Sequence, residues 1–325
     1  MPRVVTLLVL MFALASLQPQ SGIAQPYPTK PIKLIVPQAP GGQMDVIARI
    51  LGQRVSEMWN QQVVIENHGG AGGTIGADLV AKAPADGYTL LLGGLNNLVL
   101  AVALIKDLRY DPTKDFVSIG GLAYVPYALA VHPSVPATTV SELVAYAKAF
   151  PGRLTYGSSG IGSTSSLAAE LLKSKTGVNI VHVPYKGSAP AVQALVRGDV
   201  DIMFADLSLL APHARVGALR LVAAAGAQRA PAAPELATVA EEGVAGFAIE
   251  PWYGLLAPAG TPPEALAKLR SGLSQVVRRS EVRRRFEQLG YELIVDTPAQ
   301  LGELIRSDIE KYSAVIKAAG IKVDP

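Results

Sequence analysis

Residues 156–164 are the stretch whose residue types and spacing best fit a chemical role. The stretch reads Tyr-Gly-Ser-Ser-Gly-Ile-Gly-Ser-Thr and joins an extended run, 153–156, to a segment of helical periodicity, 165–175. The first N–H groups of a helix have no partner within it and carry partial positive charge, so they can hold a carboxylate or a phosphate. The stretch alone does not decide between such an anion site and a plain helix cap with a flexible turn, which Ser and Gly form in many proteins.

Two further glycine-rich loops are placed in the same way, between a predicted strand and a predicted helix. Residues 37–44 follow the strand 32–36, and residues 67–76 follow the strand 63–65. A shorter glycine loop, 93–97, ends the strand at 88–92. Ligands of open α/β sheets bind beyond the carboxyl ends of the strands, so several such loops in one chain would line a cleft for a small anion.

The first 24 residues are expected to form a secretory signal peptide that is cleaved near Ala24. Arg3 is followed by an apolar run of 14 residues, 4–17, and by a small-residue cleavage site at 22–24. The run is shorter than the ~20 residues that a membrane-spanning helix needs. The mature chain would begin near Gln25 and hold about 301 residues (325 minus 24), enough for two domains with separate cores.

The order of the predicted elements indicates an α/β protein. Strands alternate with helices along most of the chain, which favours mostly parallel sheets. Thr139 and Glu142 have the spacing of a capping box at the start of one of these helices. The last third is mainly helical, with helices at 263–277, 281–288 and 298–318 and a lone strand at 292–295.

The composition excludes several classes of function. Removing Arg3 lowers the formal net charge from +3 to +2, and the basic residues are scattered, which argues against a nucleic-acid partner. Cysteine is absent, which excludes disulfides, thiolate metal sites and cysteine nucleophiles. The four histidines, His68, His132, His182 and His213, are not spaced as a metal pair. We therefore expect neither a metal nor an organic cofactor.

Catalytic motifs are incomplete in this sequence. Residues 70–76 nearly spell a dinucleotide-binding fingerprint, but Ile75 stands where a glycine is required. Ser158 and Ser159 lie in a Gly-Ser-Ser-Gly stretch that is one residue short of a nucleophile elbow. A secreted α/β hydrolase stays open as an alternative, which would require His182 and a carboxylate to converge on one of these serines.

Seven short motifs, in order along the chain, carry a family resemblance. They are Tyr27-Pro28-x-Lys30-Pro31-Ile32, Pro40-Gly41-Gly42-x-x-Asp45, Gly70-Ala71-Gly72-Gly73, Ala83-x-x-Asp86-Gly87-Tyr88-Thr89, Tyr156-Gly157-Ser158-Ser159-Gly160-x-Gly162-Ser163, Val183-Pro184-Tyr185-Lys186-Gly187 and Trp252-Tyr253-Gly254-x-x-Ala257-Pro258. With these motifs the chain resembles the tripartite tricarboxylate transporter receptors, which are Bug-type periplasmic solute-binding proteins. The resemblance runs from Tyr27 to near the C-terminus.

The resemblance implies a two-lobed, type II-like periplasmic binding protein fold with a ligand cleft between the lobes. One lobe would hold residues 25–123 and 251–325 and the other residues 124–250, with crossings near Tyr124 and Pro251. Members of this family capture small carboxylates: di- and tricarboxylates, acidic amino acids or aromatic acids. They deliver them to the membrane subunits of a tripartite tricarboxylate transporter, or act as sensors for a membrane kinase. The resemblance therefore implies a periplasmic receptor without enzymatic activity, and we expect a monomer.

The binding positions of the family can be carried over to this sequence one by one. In the first lobe they would be Gly41, Gly42, Gln43, Asp45, Gly70, Ala71, Gly72, Leu95 and Asn96, and in the second Ser158, Ser159, Gly160, Gly162, Ser163 and Thr164, with Tyr185 and Asp206 as further wall candidates. One ligand carboxylate would lie on the N–H and hydroxyl groups of the helix start at Ser163, and the other end would face the glycine loops. For Asp45, a plain helix cap is favoured over direct ligand contact.

Departures from the family pattern bear on the ligand. Ser166 stands where many members have a histidine, which removes a possible imidazole donor. Ala205 stands where many members have an aspartate, within Phe-Ala-Asp at 204–206. An acidic group there could pair with a ligand ammonium group, so Ala205 makes an amino-acid ligand less expected unless Asp206 takes over.

Overall fold

The structure is a computed structural model that describes residues 27–294, 296–318 and 321. The predicted signal peptide with its cleavage near Ala24, and Val295 at the end of the predicted last strand, lie outside these residues. The elements are β1 Ile32–Val36, α1 Gln43–Trp59, β2 Val63–Asn67, α2 Thr74–Ala81, β3 Thr89–Gly94, α3 Ala101–Leu104, β4 Phe116–Tyr124, β5 Tyr127–Val131, α4 Val140–Ala149, β6 Thr155–Ser158, α5 Thr164–Thr176, β7 Val181–Pro184, α6 Ser188–Arg197, β8 Ile202–Asp206, α7 Leu207–Arg215, β9 Arg220–Ala224, β10 Trp252–Pro258, α8 Pro263–Val277, α9 Ser280–Gln288, β11 Glu292–Leu293 and α10 Pro298–Ala318.

The strands form two mixed sheets. In the described part of the chain, one sheet has the order β11-β4-β10-β3-β1-β2 and the other β7-β6-β8-β5-β9. The expectation of mostly parallel sheets is wrong, because within those ranges only β1 with β2 and β3, and β6 with β7 and β8, pair in parallel. The remaining neighbours are antiparallel. Parallel pairs need a crossover connection, which α1 and α2 supply in the first group of strands and α5 and α6 in the second.

The chain passes between the two sheets at two places. β4 ends at Tyr124 in the first sheet and β5 begins at Tyr127 in the second, while β10 returns to the first sheet at Trp252. The Val125 N–H donates to the Pro251 carbonyl at 2.9 Å, so the two passages lie side by side. We call the parts that carry the six-stranded sheet the first lobe and the parts that carry the five-stranded sheet the second lobe. The boundaries near Tyr124 and Pro251 stay a prediction.

Apolar periodicity accounts for how the helices lie on the sheets. In α1, Met44, Ile47, Ala48 and Leu51 recur at helical spacing and are buried, as sequence periodicity predicts for a helix that covers a sheet. The side chains at the centre of β3, 90–92, are all buried, which is typical of a strand in a sheet that is covered on both faces. Among the described residues, no helix combines the length and the apolar character needed to cross a membrane.

One helix start follows the cap signal in the sequence, and one further helix is present that the sequence did not predict. The Thr139 side chain accepts from the Glu142 N–H, which confirms Thr139 as the helix cap. The Glu142 carboxylate accepts in return from the N–H of Thr138, the residue before the cap. The helix α7 was not expected from the sequence. Asp206 is the sequence feature that could have predicted this helix, because its side chain caps the helix start. Pro212 lies inside the helix and obscures the helical pattern of the sequence.

A buried indole joins the returning strand to the last helix. The Trp252 Nε1–H donates to the Asp308 Oδ2 at 2.6 Å, and both side chains are buried. Burial raises the pKa of Asp308, and the hydrogen bond from Trp252 opposes that shift. The bond therefore offsets part of the cost of burying a carboxylate between β10 and α10.

We predict that Trp252→Phe lowers the free energy of unfolding by roughly 2–4 kcal/mol, because it removes a bond to a buried carboxylate and leaves a small cavity. The measurement is urea unfolding followed by circular dichroism. Trp59→Phe is the matched control, since the indole N–H of Trp59 has no hydrogen bond within the described residues and its side chain is partly exposed. Equal losses in the two variants would show that the Asp308 bond contributes little.

Candidate functional site

The glycine loops of the two lobes face one another across a cleft. In the first lobe two glycine loops follow β1 and β2, and in the second lobe one follows β6, with Asp206 ending the neighbouring β8. The expectation of a glycine loop at 93–97 is wrong, because Gly93 and Gly94 end β3 and the chain continues into a π-helix, Asn96–Leu100. Gly72 and Gly162 approach closely: a methyl group on Gly72 would lie 3.7 Å from the Gly162 carbonyl oxygen. Gly70, Gly72 and Gly73 all have positive φ, so the second loop adopts backbone that glycine favours, and Ala71 between them does so as well.

The serines at the start of α5 hold the loop that precedes the helix. The Ser163 Oγ donates to the Gly160 carbonyl at 2.6 Å and accepts from the Ser166 N–H at 3.3 Å. The Ser165 Oγ accepts from the Ser159 N–H at 2.9 Å. These hydroxyl groups fix the turn from β6 into α5, a cap role that the sequence left open beside anion binding.

Asn96 reaches the start of α5 from the first lobe. Its Oδ1 accepts from the Thr164 N–H at 2.8 Å and also from the Thr164 hydroxyl. The Thr164 N–H is the first N–H of α5, a group without a partner inside the helix. A single oxygen of the opposite lobe thus occupies two of the donors that the resemblance assigns to a ligand carboxylate.

Asp45 serves the first glycine loop. Its carboxylate accepts from Arg49 at 2.9 Å through two nitrogens, from the Gly41 N–H at 3.0 Å and from Asn67 at 3.0 Å. Burial raises the pKa of Asp45, but these hydrogen bonds outweigh it and hold the pKa below its usual value. Asp45 is the third residue of α1 and Gly42 takes the cap position, so the expectation that Asp45 caps the helix is wrong.

Gln43, the first residue of α1, is buried between the lobes. Its Nε2 donates to the Tyr127 hydroxyl, at the start of β5, at 2.9 Å. Its Oε1 is buried and has no hydrogen-bond partner among the described residues. Burial raises the pKa of Tyr253 on β10, and the Gln43 amide lowers this pKa in part. The three side chains lie where the chain passes between the sheets.

Asp206, at the end of β8, forms a further contact between the two lobes. It is fully buried, accepts from the Ser208 N–H at 2.7 Å and accepts from the Tyr291 hydroxyl of the first lobe at 2.8 Å. Burial raises the pKa of Asp206 to about 6, although the bonds from Ser208 and Tyr291 lower it in part. Both carboxylate oxygens have donors, so Asp206 acts here as a helix cap and an interlobe contact.

Ser158 and His182 form a close pair in the second lobe. The Ser158 Oγ lies 2.6 Å from the His182 Nε2, and the imidazole stacks on Tyr156 with ring centroids 4.5 Å apart. The Tyr156 hydroxyl donates to Glu170 at 2.6 Å. Burial lowers the pKa of His182. A nearby cavity of about 290 Å³ is lined by Tyr156, Ile161, Gly162, Ser166, Glu170, Lys173 and His182, together with Leu104, Leu167 and Ile321.

The structure brings some predicted site residues together and not others. Gln43 and Asn96 contact the second lobe, whereas Leu95 is packed in the apolar core and Tyr185 follows β7 at the side of the Ser158 loop, its N–H bonded to the Ser158 carbonyl at 3.0 Å. Sequence reasoning missed three tyrosines: Tyr127, Tyr253 and Tyr291. Tyr253 belongs to a family motif, and that was the one signal pointing to it. Ligand contact by the predicted residues stays a prediction.

Comparison with known proteins gives a consistent result. The family model described as tripartite tricarboxylate transporter family receptor matches residues 47–321. The chain is similar to protein BugT of Bordetella pertussis, with 34% identity over 309 residues that cover 93% of this chain and 95% of BugT.

Two solved structures show the same similarity in three dimensions. Rpa4515 of R. palustris with adipate has a TM-score of 0.87 and 36% identity, covering 91% of this chain and 99% of its own. MatC of Rhodopseudomonas palustris with bound malate has a TM-score of 0.84 and 34% identity, covering 89% of this chain and 100% of its own. The two-lobed fold with a cleft, expected from the sequence, is therefore confirmed.

We predict that acid stabilises the wild-type protein relative to Asp206→Asn. The native carboxyl group takes up its proton near pH 6, and the unfolded one only near its ordinary pKa of 3.8. Lowering the pH from about 7.5 to about 4.5 should therefore raise the free energy of unfolding of the wild type over that of the variant by roughly 2 kcal/mol.

Urea unfolding of both proteins at a series of pH values measures this difference. Taking the difference between the two proteins removes the contribution of the other titrating groups, which they share. A difference that does not change with pH would show that the native Asp206 carboxyl group titrates as in the unfolded chain.

Proposed function

This chain belongs to the tripartite tricarboxylate transporter receptor family, a family of periplasmic solute-binding receptors, and from that premise we propose that it captures a small carboxylate in the cleft between its lobes. The ligand would be a di- or tricarboxylate, an acidic amino acid or an aromatic acid. The protein would act as a monomer, without catalysis, after removal of the signal peptide in the periplasm.

One observation carries this proposal: the start of α5 binds an oxygen acceptor across the cleft. The Thr164 N–H and hydroxyl both donate to the Asn96 Oδ1. An amide oxygen and a carboxylate oxygen accept hydrogen bonds in the same geometry, and the helix dipole favours the charged one. A ligand carboxylate would therefore bind these donors in place of Asn96, or beside it.

The neighbouring structures support the size of the ligand. The adipate of Rpa4515 and the malate of MatC are both small dicarboxylates. Two glycine loops and the α5 start would offer backbone N–H groups to such a ligand from both lobes. We propose delivery to the membrane subunits of a tripartite tricarboxylate transporter, with presentation to a membrane kinase as the alternative downstream step.

A hydrolase is the second candidate, because Ser158 and His182 are within hydrogen-bond distance. The burial of Ser158 disfavours it, since the serine has none of its surface exposed for attack on a substrate. We infer that the pair instead stiffens the loop between β6 and α5. Esterase turnover that is lost in His182→Ala would favour the hydrolase.

The first experiment is native mass spectrometry of the purified mature protein, followed by thermal unfolding with a panel of carboxylates. We expect a co-purified carboxylate, or an increase in the melting temperature with at least one member of the panel. A ligand at about 100 times its Kd stabilises the folded state by about 2.7 kcal/mol. If no carboxylate co-purifies or stabilises the protein, the proposed function is wrong.

We predict that Thr164→Val weakens binding of the carboxylate found in this way by about ten- to a hundred-fold. The variant keeps the shape of the side chain but removes a hydroxyl donor to a charged group, a loss of about 1.5–3 kcal/mol. Isothermal titration calorimetry measures the affinity. Thr176→Val, at the other end of α5, is the control and should bind as the wild type does; unchanged binding by Thr164→Val would exclude this anchor.

A further inference from the structure

Three buried polar side chains lie where the chain passes between the lobes, and one of them has an atom without a hydrogen-bond partner among the described residues. We call Gln43, Tyr127 and Tyr253 the polar floor. Gln43 donates to the Tyr127 hydroxyl at 2.9 Å, while its Oε1 is buried with no partner among the described residues. Gln43 is 1% exposed, Tyr127 4% and Tyr253 6%. Folded proteins rarely keep a buried polar atom unpaired, so this atom is open to pairing with a bound group.

The conclusion holds for either placement of the Gln43 amide. With the nitrogen toward Tyr127, the unpaired atom is an acceptor that needs a donor. With the amide turned by 180°, Tyr127 donates to the oxygen and the nitrogen is left without a partner. A hydroxyl group can donate and accept, so it satisfies both arrangements, and an ammonium group satisfies the first.

Charge disfavours a carboxylate at the same place. The buried Asp206 carboxylate raises the pKa of both Tyr127 and Tyr253, after burial itself, so its negative charge acts on the polar floor. Tyr291 donates to Asp206 but brings no positive charge. A ligand carboxylate at the polar floor would be repelled, whereas an uncharged hydroxyl or a positive ammonium group would not.

We propose that the polar floor recognises a hydroxyl or ammonium substituent of the ligand, so that the preferred carboxylate is a hydroxy or amino acid. The carboxylates of that ligand would lie at the helix starts, and the substituent would point to Gln43. This inference rests on the proposed function, since it names the chemistry of the ligand in the same cleft.

Calorimetric titration with matched ligands tests the inference. The sets are succinate, malate and aspartate; glutarate, 2-hydroxyglutarate and glutamate; and adipate, 2-hydroxyadipate and 2-aminoadipate. Within the set whose members bind, we expect the hydroxy or amino acid to bind about ten-fold more tightly than the unsubstituted acid of the same chain length. Comparing the hydroxy with the amino form then identifies which substituent is recognised.

The variant Gln43→Met tests whether the polar floor causes the preference for the substituted ligand. It should reduce the ten-fold ratio to about one, because it weakens the substituted ligand more than the unsubstituted acid. Gln53→Met is the matched control on the exposed face of the same helix and should keep the ratio. Tyr127→Phe, which keeps the ring and removes the hydroxyl, is a second variant for use if Gln43→Met does not fold. It should also lower the ratio.

The outcomes separate this inference from the proposed function. If no carboxylate binds the wild type, the proposed function fails, and this inference fails with it. If carboxylates bind but the unsubstituted acid binds as tightly as its hydroxy and amino forms, only the polar floor inference is wrong. Equal weakening of all ligands by Gln43→Met would likewise overturn it, because it would show a general role in positioning the lobes.

Discussion

Polar groups at the facing edges of the two sheets are buried wholly or in part, and several are paired by hydrogen bonds across the cleft. Buried donors and acceptors without partners are costly, so the lobes can approach only where their groups are complementary. Asn96 with Thr164, Gln43 with Tyr127, and Tyr291 with Asp206 are three such pairs. Because each pair joins residues far apart in the chain, the arrangement of the lobes depends on all of the strands that deliver them.

The sequence predicts the local elements of this fold well. The predicted bounds of β1, α8 and α10 match the observed ones, and Thr139 caps the start of α4 as predicted. Strand direction is harder to predict, because it depends on which sheet a strand joins after the chain crosses between the lobes. The pairing of β10 with β3 and β4 joins residues more than 100 positions apart and leaves no periodic signal.

Some residues of the candidate site can be predicted from the sequence and others cannot. Glycine and serine at the start of α5 are visible in the sequence because the local turn requires them. The tyrosines at 127, 253 and 291 are not, since an aromatic residue at a strand end is usually part of a core. Asp206 was read as a possible ligand contact, yet its carboxylate caps α7 and binds Tyr291. Only the tertiary arrangement distinguishes these roles.

The helix start at Thr164 has a consequence for how such a receptor changes its ligand during evolution. In the proposed binding mode, part of carboxylate recognition depends on a backbone N–H group, which is present whatever residue occupies its position, proline excepted. The hydrogen bonds of the side chains around it, such as those of Gln43 and Asn96, change when those residues are substituted. A new ligand can therefore be acquired through a few side-chain changes at one end of the cleft, while the other end continues to bind the feature that all the ligands share.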